Sequence, residues 1–179
     1  MLETEKQEIL LALSRGRDAL GAAVAGVSDD LAVRKPIDGG WSILECVEHV
    51  DVSERYLQTR LSSATRVERP VANRVREGRM LERGVDRSRP VACPEGGWPR
   101  GRFGTISAAL AKFDEARAET VKFVQYFDDD PRCWVTDHPV IPGPVNLMEI
   151  LLTMAVHPAR HAKQIEEIRT EIGAKHGAH

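Results

Sequence analysis

His157 and His161 are the residues whose type and spacing point most directly to chemistry. They lie in the segment Asn146 to Gly173, NLMEILLTMAVHPARHAKQIEEIRTEIG. Wound as a helix, that segment puts Leu147, Ile150, Met154, His157, His161, Ile165, Ile168 and Ile172 on one narrow stripe. All but the two histidines are apolar, so the stripe is expected to face a core. A buried imidazole needs partners for both ring nitrogens. Two of them at i and i+4 can aim at one point, which is the spacing from which a helix holds a metal ion. The competing reading makes each a core histidine, satisfied by a backbone carbonyl or a carboxylate. Two imidazoles alone make a weak metal site, so a third ligand has to come from elsewhere in the chain.

His49, in the run GWSILECVEHV, is the candidate. On an ideal wheel it sits on the shoulder of its helix beside Cys46, Ser53 and Tyr56, roughly a quarter to a third of a turn from the Val50–Leu57 seam. Spacing alone makes it a boundary histidine and leaves metal ligation open. A ferritin-like di-iron site is excluded by the letters. It needs Glu-x-x-His on two helices, and the residues three before His49, His157 and His161 are Cys46, Met154 and Pro158. Cys46 is an alternative soft ligand, though a small core filler is the commoner role for such a residue. Glu45 reaches the same side of the helix but competes with its own capping role. His138 lies in the loop before the last helix, either at the surface or over the open side of a site. His176 and His179 fall in the tail and are assigned no role.

Four helices must position these groups. Residues 2 to about 25 carry Leu2, Ile9, Leu10, Leu13, Leu20 and Val24 at helical spacing. Gly16 and Gly21 weaken that helix by roughly 1 kcal/mol each relative to Ala, so tertiary packing must hold it. Ser42 followed by Glu45 is a capping box that opens the second helix, with Trp41 placed as a hydrophobic staple. The third helix runs from Thr105 to about Phe127, with Ile106, Ala109, Leu110, Phe113, Thr120 and Val124 on one face. Asn146 with Glu149 starts the last. Pro158 sits inside that helix; it lacks the donor for the Met154 carbonyl and is expected to bend the axis. No strand is expected. The architecture predicted is an all-α four-helix bundle with long second and third connections, one domain over residues 1–179.

The long connection, residues 66–102, holds ten arginines against five acidic residues, with four prolines. Val71 to Leu81 is its one stretch with helical spacing. A connection of this length is uncommon and often functional, as a lid or a site wall; a solvated crossover coated with arginine is the commoner outcome. Over the whole chain 25 Lys and Arg face 27 Asp and Glu, a net charge of −2, which argues against a general nucleic-acid binder. Cys46, Cys93 and Cys133 have no framework spacing and read as free thiols of a reducing compartment. The charged N-terminus lacks the apolar core of a signal peptide. No apolar run is long enough to span a bilayer. A soluble, cytoplasmic protein with no membrane partner is therefore expected.

Taken in order, Trp41-Ser42-Ile43, then Glu48-His49, then His157-x3-His161-x2-Gln164-Ile165 resemble the DinB/YfiT-like superfamily, across nearly the whole chain. The resemblance implies a bacterial-type four-helix bundle in which three histidines hold a divalent metal. Carried over residue by residue, the ligands are His49, His157 and His161, with zinc or nickel as the expected ion. It also implies metal-dependent chemistry on a small molecule, because members include S-transferases that use low-molecular-weight thiols, and others of hydrolase type. Some relatives have no assigned reaction, so a metal-binding or stress-response protein without turnover is the alternative. Homodimers are common in the family. Three imidazoles leave an ion coordinatively open, the catalytic pattern. No base is evident, since Glu48 points about 100° away from His49 on the wheel. Arg160 and the arginines of 66–102 are placed to meet an anionic or electrophilic substrate, although a surface role for Arg160 is the commoner outcome.

Overall fold

The computed structural model describes residues 1–72, 74–88 and 91–176, with side chains as far as Ile172. Four long helices, α1 (Glu3–Val24), α3 (Ile43–Ser63), α5 (Ile106–Tyr126) and α6 (Leu147–His176), form the bundle. Between them lie two short helices, α2 (Asp29–Ala32) and α4 (Arg74–Arg83), with α4 inside the long crossover. The expected starts hold. The Ser42 hydroxyl accepts from the Glu45 amide at 3.2 Å while the Glu45 carboxylate takes the Ser42 amide at 2.7 Å. At α6 the same reciprocal box joins Asn146 and Glu149 at 3.0 and 2.9 Å. Thr105 caps α5 through the Ala108 amide.

Two results differ from expectation. The crossover helix is displaced toward the C-terminus, at Arg74–Arg83 instead of Val71–Leu81. There is also a small antiparallel sheet of β1 (Thr65–Arg66), β2 (Trp134–Thr136) and β3 (Val145–Asn146), in that order. Thr65 pairs with Val135, and Val135 with Asn146. Strands of two or three residues are too short for an alternating pattern to register; only the chain reversal that brings them together defines them. The sheet staples the start of the crossover to the loop that leads into α6.

α1 lies directly on α6. A Cβ built on Gly16 would stand 2.2 Å from the Ala155 carbonyl oxygen and 3.6 Å from Pro158 Cδ, so only glycine allows this approach. The helix penalty of Gly16 is thus exchanged for packing against the part of α6 that carries the histidines. α6 remains helical through Pro158. The carbonyl that Pro158 cannot serve, that of Met154, accepts from Arg117 Nη2 at 2.8 Å. The buried Arg117 also donates to the Leu13 carbonyl at 2.9 Å and to Glu54 Oε2 at 2.9 Å. One guanidinium on α5 therefore ties α1, α3 and α6 together about one turn from His157. Glu54 is completed by the Thr120 hydroxyl at 2.7 Å, so both charges of the pair are hydrogen-bonded, with Arg117 Nε alone of the guanidinium nitrogens left without a partner.

Candidate metal centre

His49 comes from the second turn of α3, and His157 and His161 come from the middle of α6. The bundle brings their Nε2 atoms together. His157 Nε2 lies 3.2 Å from His49 Nε2 and 3.1 Å from His161 Nε2, and one ligand atom from each of the three lies within 4.8 Å of the others. His49 and His161 are buried, at 5% and 6% exposure, and His157 is partly exposed.

The outer nitrogens decide what the inner ones are. His49 Nδ1 lies 2.6 Å from the Gly97 carbonyl, which can only accept, so Nδ1 carries the proton. His161 Nδ1 lies 2.9 Å from Gln164 Oε1, whose orientation is set by Arg87 Nη1 donating to the same oxygen at 3.2 Å. The two inner nitrogens of His49 and His161 are then lone pairs, both turned toward His157. A single His157 Nε2 proton can serve at most these two acceptors by being shared, whereas a cation serves all three nitrogens as lone-pair donors. A tetrahedral ion with metal–nitrogen bonds of about 2.0–2.1 Å would separate its ligands by roughly 3.3–3.4 Å, close to the spacing found. The donor set therefore fits a divalent metal. Hydrogen-bonded outer nitrogens of this kind hold the rings in ligand orientation.

Burial holds all three imidazoles below their ordinary pKa. His157 and His161 are pushed well below it, with mutual repulsion as the second cause. For His49 desolvation dominates, against an opposing hydrogen bond that its Nδ1–H donates to the Gly97 carbonyl. All are neutral at pH 7, the form that ligates. Trp41, expected as a staple, packs against the core at the start of α3 and also lies beside the site. Its ring is 4.6 Å from that of His49 and stacks at 6.3 Å on that of His161.

The rival ligands fall elsewhere. Cys46 is buried in the hydrophobic core, its thiol pushed up to about 12 mainly by burial. Glu45 is held by its cap and by Lys35. His138 is no surface loop histidine. It lines the cavity beside the triad, and its Nδ1 accepts from the Val140 and Ile141 amides at 3.1 Å each. Burial first, then the nearby Arg60, lowers its pKa to about 4. Arg160 likewise faces the cavity and donates to the Asp86 carbonyl. The side chain of His176 and all of His179 lie outside the described residues.

Three contributors are not evident from spacing. Gly97, in the turn Glu95–Gly97, supplies the carbonyl for His49, and a Cβ there would stand 3.0 Å from Cys93 Sγ and 3.4 Å from His49 Cε1. Cys93 itself lies 3.8 Å from His49 Nδ1. Glu48, buried at 1% exposure, accepts from the amides of Arg100, Gly101 and Arg102 at 2.8, 3.0 and 3.2 Å and from Arg102 Nε at 3.0 Å. Burial alone would raise its pKa, but these donors outweigh burial and hold it below the usual carboxylate value. The one available signal was a Glu next to a candidate ligand. Adjacent residues of α3 thus grip the crossover at two points, Glu48 through 100–102 and His49 through Gly97.

The triad opens onto a cavity of about 860 Å³. Its walls include Met80 and Arg83 of α4, Cys93 of the later crossover, and His138 and Ile141 of the loop before α6. Gly84 seats the end of α4 against α6, because a Cβ there would meet Val156 Cγ2 at 2.3 Å. The long crossover is a site wall, not merely a solvated coat.

The sequence profile of the DinB superfamily matches residues 12–165. The chain belongs to the DinB superfamily. A solved structure of YfiT from Bacillus subtilis, described as a probable metal-dependent hydrolase with an unusual four-helix bundle topology, is similar over 97% of this chain and 90% of that one. The TM-score is 0.60 at 18% identity, so the likeness is one of fold. Among curated proteins none matches. The DinB-type helix order, α1, α3, α5 and α6, is what carries one histidine from α3 to two from α6. No helix among the described residues is long and apolar enough to cross a membrane.

Proposed function

We propose that this DinB-superfamily protein is a metal-dependent enzyme acting on a small molecule, with one divalent ion held by His49, His157 and His161. The observation that carries the reading is the open side of the triad. A storage or purely structural site is closed by protein ligands, whereas here the histidines face a cavity of about 860 Å³, large enough for a small substrate. When bound, such an ion acts as a Lewis acid and lowers the pKa of a bound water or thiol toward about 7.

The residues of the chain divide the remaining work. Gly97 and Gln164 keep the imidazoles in the ligating tautomer. Trp41 shields one side of the site from water. No Asp or Glu lines the cavity among the described residues, so no carboxylate is placed as a general base. That favours transfer of a low-molecular-weight thiol, whose unperturbed pKa is already about 8.5, and we take thiol S-transfer as the leading reaction type. Hydrolysis is the second reading, favoured by the fold shared with the probable metal-dependent hydrolase YfiT.

Elemental analysis of protein purified without added metal tests the site. About one divalent ion, zinc or nickel, is expected per chain, and none in His161→Ala; full occupancy in that variant would remove the triad from metal binding. Low-molecular-weight thiols with electrophiles, and activated esters, then test turnover. Activity lost with a chelator and restored by the ion supports the enzyme reading. Absence of metal-dependent turnover across both substrate sets would leave a metal-binding protein without catalysis.

A further inference from the structure

The chain carries a net charge of −2, yet the wall of the cavity is cationic. Arg76, Arg79, Arg83, Arg87 and Arg160 line it beside four histidines, and no acidic residue does so among those described. Three of the arginines have protein partners. Arg76 grips Glu149 in a two-pronged pair, with Nη2 at 2.6 Å from Oε2. Arg87 pairs with Glu167 at 2.8 Å, and Arg160 donates to the Asp86 carbonyl. Arg79 and Arg83 are exposed, and no hydrogen bond or ion pair of either guanidinium is found among the described residues.

Arg79 and Arg83 are four residues apart on the cavity side of α4, so their Cβ atoms stand about 5–6 Å apart and both forks can close on one group. A helix face turned toward a cavity ordinarily carries apolar residues. Here Met80 shares that face with guanidinium groups. A solvated arginine surface would tolerate acidic residues opposite it, and none is present. The same cavity has apolar lining from Val91, Val140 and Ile141, the first two exposed at 56% and 44%. Guanidinium forks match the two oxygens of a carboxylate or phosphate.

We propose that Arg79 and Arg83 are the substrate-recognition residues of this cavity, binding an oxyanion (a carboxylate or a phosphate monoester) carried on an apolar body that rests against Val91, Val140 and Ile141. This rests on the small-molecule reading given above and narrows its substrate class. The oxyanion is held by guanidinium groups of α4 and not by the imidazoles, so its binding does not depend on the metal.

Calorimetric titration with benzoate, phenyl phosphate and the neutral benzyl alcohol tests the assignment. Wild-type protein is expected to bind one or both anions and to bind the alcohol at least tenfold more weakly, with anion affinity falling as salt rises. The two anions distinguish carboxylate from phosphate. Arg79→Gln/Arg83→Gln, two exposed changes whose folding is checked by circular dichroism, should weaken anion binding at least tenfold and leave metal content unchanged. His161→Ala should keep anion affinity within a few-fold of wild type. Equal binding of alcohol and anions, or an unaffected double arginine variant, would overturn the proposal. Loss of anion binding in His161→Ala equal to that in the arginine variant would also overturn it, by making the anion a metal ligand. Absence of metal from the wild type, with anion binding intact, would defeat the metal reading and leave this one standing.

Discussion

Lowering the pH of the chelator-treated protein from 7 to 5 should unfold it well before its carboxylates titrate. The folded state holds His157 and His161 well below their ordinary pKa of 6.5, His49 below it, and His138 at about 4. The unfolded chain takes up a proton on each of these near pH 6.5, while the folded chain does not. Stability therefore rises with pH across the window, is complete above 6.5, and is lost as pH falls toward the folded values. Glu54 opposes this, because burial raises its pKa and it gains a proton first in the folded state. His157, His161 and His138 account for about three protons, and at about 1.4 kcal/mol per proton and pH unit the slope is roughly 4 kcal/mol per unit; His49 steepens it and Glu54 lessens it. Against a total of about 5–15 kcal/mol for a domain, one or two pH units suffice. Urea midpoints at pH 7, 6 and 5 with an unchanged m-value measure it. Glu5, Glu45 and Glu48 are all held below 4.5, so their loss belongs to a lower window. A midpoint flat from pH 7 to 5 that falls only below about 4.5 would refute the reasoning, since carboxylates alone would then account for acid sensitivity. His161→Ala should remove about one proton from the slope.

Two glycines of α1 should respond in opposite directions. Gly21→Ala meets only the flexible Arg17 side chain at 3.5 Å and should stabilise by up to about 1 kcal/mol. Gly16→Ala drives a methyl into the Ala155 carbonyl and should cost about 1–3 kcal/mol, read as a shift in thermal midpoint. Glu48→Ala removes a charged acceptor from three loop amides and Arg102, at about 1.5–3 kcal/mol. Residues 96–104 should then become the first site of limited proteolysis, and metal affinity should fall about tenfold as Gly97 loosens from His49; unchanged proteolysis would separate Glu48 from the loop.

Much of the bundle was already decided along the chain. The Ser42–Glu45 and Asn146–Glu149 boxes set where α3 and α6 begin, because capping is satisfied within four residues. The apolar stripe of α6, interrupted by two imidazoles, follows from helical periodicity alone. His49 is the instructive contrast. Its place on the wheel made it a boundary residue, and only the resemblance to a family paired it with α6. Its environment comes from Gly97, forty-eight residues away, and from the crossing of α3 with α6. The same holds for Arg117, which looks like a surface residue of α5 until Pro158 leaves the Met154 carbonyl in need of a donor. It holds again for Arg79 and Arg83, which read as a solvated crossover until the end of α4 is seated on Val156. Local rules act over one turn of helix and are written in adjacent residues. Convergence of groups from separate segments depends on how closely the helices pack, and Gly16 and Gly84 let α1 and the end of α4 approach α6 where a side chain would not fit.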